Sequence, residues 1–170
     1  MHLAVILVVA SAIMAPKFVS AQGPGERDAI MKDYCVTPNN TRNASCNRII
    51  LMYFYNETSK RCQNFRWSGC DKFGVFSTLY QCASACNTGQ GAPFCAKSPP
   101  GACNETSSGR KRTRYFYNVT SKSCSKYDAC DNVRSAIDMN SFAHLEYCRK
   151  QCEGFTEENA NGTQLSETHQ

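Results

Sequence analysis

Hydrophobic and polar positions alternate in two short stretches that are almost the same. YFYNETSK at 53–60 returns as YFYNVTSK at 115–122, with one position of the eight changed. Aromatic residues that alternate with polar ones, followed by Asn-x-Thr-Ser-Lys, predict a twisted hairpin with one face buried. The repeat therefore indicates two modules built on the same hairpin.

A closing helix is predicted in each module. The segments CASAC and CRKQC place their two cysteines one helical turn apart, so both thiols of a pair face the same neighbouring layer. Ser77 or Thr78 is a suitable cap for the first helix, and Ser141 is a suitable cap for the last one.

The amino terminus carries an apolar run that predicts a signal peptide. Leu3–Ala15 is too short to cross a bilayer, and Val19–Ala21 offers small side chains for cleavage. We expect residues 1–21 to be removed and 22–34 to form an N-terminal segment. The product is then secreted and extracellular, with no membrane span.

Cysteine usage indicates a disulfide framework. All 12 cysteines lie between Cys35 and Cys152, an even number for a secreted chain, and no spacing suits a zinc site. A polar linker at 87–94 divides them into two sets of six. Each module has fewer than about 60 residues, where an apolar core alone rarely stabilises a fold. No metal or other cofactor is expected.

Charge is unevenly distributed along the chain. Loss of the signal segment removes Lys17 and lowers the formal net charge from +5 to +4. Both modules have more Lys and Arg than acids, whereas 153–170 has four Glu and no Lys or Arg and is expected to be an acidic polar tail. Two basic modules suggest an anionic partner surface, although ordinary solubility explains the same charges.

The first module resembles a known family. Cys46-NRIILMYFYNETSKR-Cys62-QNFRWSG-Cys70, followed by Phe76 and CASAC, is similar to a Kunitz-type serine protease inhibitor domain, the bovine pancreatic trypsin inhibitor fold. The second module resembles it less closely, because it keeps Arg114-YFYN, Phe142 and CRKQC but changes its distances between cysteines. The changed distances fall in loops, where length changes are tolerated and function tends to reside.

The resemblance implies a small disulfide-rich α+β chain of two tandem Kunitz domains, 35–86 and a divergent 95–152. Each domain would have a twisted β-hairpin, a C-terminal helix and three disulfides. Six cysteines alone permit 15 pairings, and the family selects one of them. The implied pairs are Cys35 with Cys86, Cys46 with Cys70, Cys62 with Cys82, Cys95 with Cys152, Cys103 with Cys130 and Cys124 with Cys148.

A protease-contact loop is also implied for the first module. In the family a disulfide-clamped loop is presented like a substrate, so little loop entropy is lost on binding. Asn47 would enter the specificity pocket, where a trypsin-like enzyme requires Arg or Lys. Arg48 and Ser68 replace small residues that are usual in the family. Standard inhibition, weak or exosite-assisted inhibition and no inhibition all remain open. The implied contact residues are Ser45, Cys46, Asn47, Arg48, Ile49, Ile50 and Ser68.

The second module favours a different contact. Asn104 follows Cys103 and begins a glycosylation sequon, and an attached glycan would keep this residue out of a specificity pocket. The loop NETSSGRKRTR is instead a candidate for binding a protease exosite or a glycosaminoglycan. A solvated basic loop in which Arg114 has a structural role is the alternative. The candidate anion-binding residues are Arg110, Lys111, Arg112 and Arg114.

Six sequons predict a glycoprotein. They begin at Asn39, Asn43, Asn56, Asn104, Asn118 and Asn161. Asn56 and Asn118 occupy the same position at the hairpin end, which an asparagine also suits for turn geometry.

An enzyme is not expected. After signal removal only His144 and His169 remain, which excludes a credible Ser-His-Asp or Cys-His site, and bonded cysteines provide no thiolate nucleophile. A nucleic-acid partner does not fit a secreted, disulfide-rich chain.

The whole architecture resembles the two-domain salivary anticoagulants of ticks. This implies a monomer that binds a host serine protease or zymogen of the coagulation or contact system, partly through exosites. The alternative is a non-inhibitory Kunitz module directed at an ion channel, a platelet receptor or a heparin-like glycosaminoglycan.

Overall fold

A computed structural model describes residues 33–103, 110–130 and 138–162. The predicted signal peptide and the sequon at Asn104 lie outside these ranges. The elements in chain order are β1 (Ile50–Asn56), β2 (Arg61–Trp67), α1 (Leu79–Cys86), a 3-10 turn (Pro93–Ala96), β3 (Lys111–Asn118), β4 (Ser123–Cys130) and α2 (Leu145–Cys152). None of the helices in the described ranges is long and apolar enough to cross a membrane.

Two antiparallel hairpins, β1–β2 and β3–β4, form the centre of the two modules. Asn56 Oδ1 accepts the backbone N–H groups two and three residues ahead, at 2.9 and 3.1 Å. Asn118 makes the same pair of bonds in the second hairpin, at 3.0 and 3.1 Å. Lys60 and Lys122 complete the turns with φ of +53°. The predicted turn at Asn-x-Thr-Ser-Lys is confirmed in both modules.

A short segment before each helix joins its hairpin as one extra bridge. Tyr53 exchanges two backbone hydrogen bonds with Phe76, at 2.9 and 2.8 Å. Tyr115 and Phe142 form the same pair of bonds with the same lengths. The chain then turns into the helix, which packs across the buried face of its hairpin.

The two helices begin differently. Thr78 caps α1, since its side chain accepts the N–H of Gln81 at 3.1 Å, as predicted. The predicted cap at Ser141 is wrong, because His144 is the N-cap residue of α2. Ser141 is buried, and its hydroxyl bonds Tyr127 Oη at 2.7 Å. It lies in the segment that bridges to β3, so the helix starts after that segment has ended.

Six disulfides connect these elements. They join Cys35 to Cys86, Cys46 to Cys70, Cys62 to Cys82, Cys95 to Cys152, Cys103 to Cys130 and Cys124 to Cys148. These are the pairs that the family resemblance implies. Each joins residues of a single module, so the contacts between the modules are noncovalent apart from the chain itself.

One hydrophobic core runs through both modules. Tyr53 and Leu79 contribute from the first module and Tyr117 from the second, with Ala92 of the linker between them. The ring of Tyr80 on α1 packs edge-to-face on Phe155, with centroids 5.2 Å apart.

Phe155 and Ala160, within residues 153–162, belong to this core, which corrects the prediction of a polar tail for this part of the chain. Phe155 is 2% exposed and Ala160 is fully buried. Tyr117 Oη donates a hydrogen bond to the Phe155 carbonyl at 2.7 Å. Gly91 and Gly162 pass so closely that a side chain at Gly91 would overlap the backbone of 160–162. The two modules and the linker therefore form one packed unit.

Candidate functional site

The loop between Cys46 and β1 is the most prominent feature of the first module. Asn47 and Arg48 are exposed, and Ile49 is 68% exposed. Ile49 is thus the most exposed large hydrophobic side chain in the described ranges. The disulfide between Cys46 and Cys70 clamps the base of this loop. We define the contact loop as residues 45–50.

A clamp at Asn43 fixes the start of the contact loop. Asn43 Oδ1 accepts the backbone N–H groups of Ser45 and Cys46, both at 2.9 Å. The backbone of Asn43 also bonds that of Cys46 in both directions, at 3.3 and 3.1 Å. The chain is thereby held in a tight turn immediately before Asn47.

Asn40 braces the contact loop from behind. The Arg48 N–H donates to the Ser68 carbonyl at 3.0 Å, and the Ser68 N–H donates to Asn40 Oδ1 at 2.9 Å. Asn40 Nδ2 in turn donates to the Arg66 carbonyl at 2.9 Å. The sequence did not lead us to predict a role for Asn40. The signal that could have pointed to it is the stretch between Cys35 and Cys46, which is two residues longer than is usual in the family.

Ser68 requires a correction. The family resemblance implies that Ser68 contacts the partner, but Ser68 is only 2% exposed. Its carbonyl accepts the N–H of Arg48, so it supports the contact loop from below. A buried side chain cannot meet a partner unless the loop rearranges.

The side chain of Arg48 lies back against the neighbouring loop. A Cβ added to Gly69 would lie 2.8 Å from Arg48 Cδ and 3.1 Å from its Cβ. Gly69 also has a φ of +95°, a conformation that residues with a side chain rarely adopt. A large residue beside Asn47 is accommodated because Gly69 provides a surface for its aliphatic stem.

The first module also carries exposed basic side chains outside the contact loop. Arg42 Nη2 donates to the Arg66 carbonyl at 2.9 Å, which places its guanidinium beside that strand. Arg66 and Lys72 are exposed on the same module. Their charges favour an acidic partner surface through long-range attraction.

The corresponding segment of the second module is bound to a strand. The N–H of Cys103 donates to the Asp128 carbonyl at 2.9 Å, and the N–H of Cys130 donates to the Gly101 carbonyl at 3.0 Å. Ala102 forms the bridge to Ala129 between them. Because β4 runs directly into Cys130, there is no counterpart of the Ser68–Gly69 loop. This explains the shorter interval between the third and fourth cysteines.

The basic loop predicted at 110–114 is corrected to the beginning of a strand. Lys111 lies opposite Cys130, Arg112 opposite Ala129 and Arg114 opposite Tyr127. Successive residues of a strand point to opposite faces, so Arg112 and Arg114 share one face and Lys111 lies on the other. Arg110 precedes the strand and is exposed, as are Lys111 and Arg112, whereas Arg114 is half-buried.

The sequons occupy different surroundings. Asn39, Asn43 and Asn161 are exposed, and Asn56 and Asn118 are half-buried at the hairpin ends. The amide oxygens of the last two hold the turns, as described above. The same asparagine therefore has a role in turn geometry whether or not a glycan is attached.

Comparison with known proteins identifies the first module. Residues 34–87 match the family model described as the Kunitz/Bovine pancreatic trypsin inhibitor domain. Tissue factor pathway inhibitor of Rattus norvegicus is 34% identical over 124 residues, which cover 64% of this chain and 38% of the rat protein. Chelonianin of Caretta caretta is 34% identical over 74 residues, covering 42% of this chain and 66% of chelonianin. The chain thus spans well under half of the rat relative.

Two solved structures overlap with part of this chain. One is described as the NMR structure determination of Ixolaris and its Factor X interaction, with 21% identity, a TM-score of 0.26 and coverage of 72% of this chain and 97% of that one. The other is the complex between SmCI and human carboxypeptidase A4, with 20% identity, a TM-score of 0.30 and coverage of 69% and 62%. Overlap at these TM-scores supports no inference about function. The match of residues 34–87, together with their hairpin, closing helix and three disulfides, assigns the first module to the Kunitz/bovine pancreatic trypsin inhibitor domain family.

Proposed function

We propose that this protein is a secreted, non-enzymatic inhibitor that binds a serine protease or zymogen of blood coagulation or the contact system. The observation that carries the proposal is the contact loop, which is exposed at Asn47–Ile49 and clamped by the bond between Cys46 and Cys70. A loop held in one conformation loses little entropy on binding. Tissue factor pathway inhibitor, named above, supports the choice of protease class.

The contact loop is proposed to bind its protease in an unusual or weak manner. Asn47 is uncharged, so it leaves the acid in a trypsin-like specificity pocket without its ordinary partner. Arg48 lies along Gly69 and leaves Ile49 as the apolar tip. We therefore expect a second contact to supply part of the affinity.

The second contact is proposed to lie on residues 95–152, which we interpret as a divergent Kunitz domain. Its disulfides, its bridge between Tyr115 and Phe142 and its closing helix support this interpretation. The exposed Arg110, Lys111 and Arg112 at the start of β3 favour an acidic exosite.

A clotting assay tests the inhibitor proposal. The secreted protein should prolong plasma clotting after an intrinsic or an extrinsic trigger, and purified proteases should be assayed in parallel on small substrates. Inhibition of small-substrate turnover would assign the effect to the contact loop, whereas prolonged clotting with normal turnover would assign it to exosites. No effect in either assay would overturn the proposal and favour a channel or receptor target.

Asn47→Arg tests the conformation of the contact loop separately. If the loop is held like a substrate, this variant should inhibit trypsin far more strongly than the wild type, because Arg pairs with the acid of the trypsin pocket. Asn47→Ala is the matched control and should inhibit trypsin no more strongly than the wild type. Absence of trypsin inhibition by Asn47→Arg would contradict the proposed geometry.

A glycosaminoglycan is the second candidate partner, favoured by the same three exposed basic residues. A variant in which Arg110, Lys111 and Arg112 are all neutralised should be retained less strongly on heparin. The retention that remains should depend less on salt concentration. The control neutralises Lys122 and Lys126, exposed residues elsewhere on the same hairpin. Losses in proportion to the three and two charges removed would indicate attraction by net charge without a defined site.

A further inference from the structure

Asn43 combines two features that the proposed function does not use. It begins the sequon Asn43-Ala44-Ser45, and its side chain is the clamp that fixes the start of the contact loop. The residue is exposed. A modification here would therefore lie next to the residues that meet a partner.

The two features use different atoms of the same amide. Oδ1 accepts the N–H groups of Ser45 and Cys46, which fixes the plane of the amide relative to the contact loop. No hydrogen bond within the described ranges involves Asn43 Nδ2. N-linked glycosylation replaces one hydrogen on this nitrogen and leaves the oxygen free to accept. The clamp and a glycan can thus coexist.

Position distinguishes Asn43 from the other sequon that flanks β1. Asn43 is bonded to Cys46 and lies four residues before Asn47. Asn56 lies at the opposite end of β1 from Ile50, about 20 Å away at the usual rise per strand residue. A bulky glycan at Asn43 would stand beside the contact loop, whereas one at Asn56 would project from the far end of the module.

We propose that Asn43 carries an N-linked glycan that shields the contact loop, while its amide oxygen holds the loop in shape with or without the glycan. The glycosylation state of this one residue then sets how readily a protein of protease size reaches Asn47–Ile49. This inference deepens the proposed function, since it concerns access to the same loop.

The test separates the glycan from the clamp. Ser45→Ala removes the sequon but keeps the Asn43 amide and both backbone donors. Thr58→Ala is the matched control, because it removes the sequon at Asn56 and leaves the contact loop unchanged. The full chain would be secreted from eukaryotic cells, and occupancy of Asn43 would be measured by glycopeptide mass spectrometry. Trypsin then serves as the probe of access, through the rates of cleavage after Arg42 and Arg48.

We expect Asn43 to be occupied, Ser45→Ala to be cleaved several-fold faster than the wild type, and Thr58→Ala to match the wild type. The shield would be refuted if Asn43 were unmodified, or if wild type and Ser45→Ala were cleaved at equal rates. Absence of cleavage in both proteins counts as equal rates. These readouts do not depend on a coagulation target, so failure of the proposed function leaves them unaffected.

The clamp is tested with two variants that both lack the glycan. Asn43→Asp keeps an oxygen acceptor, whereas Asn43→Ala removes it. Amide hydrogen exchange at Ser45 and Cys46 should be several-fold faster in Asn43→Ala than in Asn43→Asp. Equal exchange in the two variants would show that the amide oxygen does not hold the loop.

Discussion

The side chain of Gln90 binds both backbone groups of Cys62. Gln90 Oε1 accepts the Cys62 N–H at 2.6 Å, and Gln90 Nε2 donates to the Cys62 carbonyl at 2.9 Å. One glutamine of the linker thus takes the place of a neighbouring strand at the outer edge of β2. Asn87 adds a bond from its Nδ2 to the Lys60 carbonyl at 2.8 Å. The linker is therefore attached to the first module at Asn87 and Gln90.

Gln90→Ala should lower the free energy of unfolding by about 1–3 kcal/mol, because it leaves a partly buried N–H and carbonyl of Cys62 without partners. Gln90→Glu should also destabilise, since a carboxylate keeps the acceptor but loses the donor. Gln63→Ala, at an exposed position of the same strand, is the control. Urea unfolding with the disulfides intact measures all three. If Gln63→Ala lowered the free energy of unfolding as much as Gln90→Ala does, this role of Gln90 would be contradicted.

Gly154→Ala should loosen the contact between the modules. A Cβ at this position would collide with the ring of Tyr80, and the φ of +105° is unfavourable for alanine. The Tyr80–Phe155 contact should open, with faster hydrogen exchange in residues 153–162. Gly101→Ala shares the positive φ but lies on an exposed turn, so it isolates the cost of backbone strain. Similar exchange in the two variants would rule out the collision as the cause.

Asn140→Ala should be the most damaging of the substitutions considered. Asn140 is 1% exposed, accepts the Tyr117 N–H at 2.8 Å and donates to the carbonyls of Tyr117 and Lys97, both at 2.7 Å. Its removal leaves several buried backbone groups unpaired, at a cost of about 3 kcal/mol or more. Asn64→Ala, an exposed change, should stay within about 0.5 kcal/mol. Comparable unfolding midpoints for the two variants would refute this assignment.

The first module has a glycine at the position that corresponds to Asn140 of the second module. Gly74 stands two residues before Phe76, as Asn140 stands two residues before Phe142. Gly74 has a φ of +71°, and a Cβ there would lie 2.9 Å from the Val36 carbonyl oxygen. Gly74→Asn should therefore destabilise, because the side chain has no room in which to reproduce the bonds of Asn140.

Tyr53→Phe should stabilise the protein slightly and change its response to alkali. Burial raises the pKa of Tyr53 above its ordinary value. Since unfolded tyrosine loses its proton near pH 10 while the folded residue stays neutral, the free energy of unfolding falls as pH rises above about 10. Tyr53→Phe removes this fall and also deletes a buried hydroxyl that has no partner in the described ranges.

Tyr117→Phe is the matched comparison for Tyr53→Phe. The Tyr117 hydroxyl donates to the Phe155 carbonyl, so its loss should cost about 1 kcal/mol near neutral pH. Urea titrations at pH 8 and pH 11 separate the two outcomes. Equal destabilisation by both substitutions at pH 8 would mean that the Tyr53 hydroxyl has a partner after all.

The short-range features of the fold were predictable because they depend on local chemistry. Asn-x-Thr-Ser-Lys forms its turn through bonds two and three residues ahead, and Thr78 caps α1 within one helical turn. The cysteine spacing, read through the family, also implied the observed disulfides. The candidate contact loop at Cys46 was likewise implied by the family resemblance. The turn and the helix cap are encoded in neighbouring residues, whereas the disulfide pairs and the contact loop were inferred from the family resemblance.

The sequence by itself determined the two hairpins, their turns and the closing helices, and through the family resemblance it predicted the contact loop. Only the tertiary structure decided that Ser68 is buried, that Lys111–Arg114 begins a strand, and that Phe155 seals a core shared by both modules. These outcomes depend on partners far along the chain: Asn40 for Ser68, β4 for the basic residues, and Tyr80 and Tyr117 for Phe155. Local composition marks a residue as polar, basic or aromatic, but burial and strand pairing are settled by the residues brought against it.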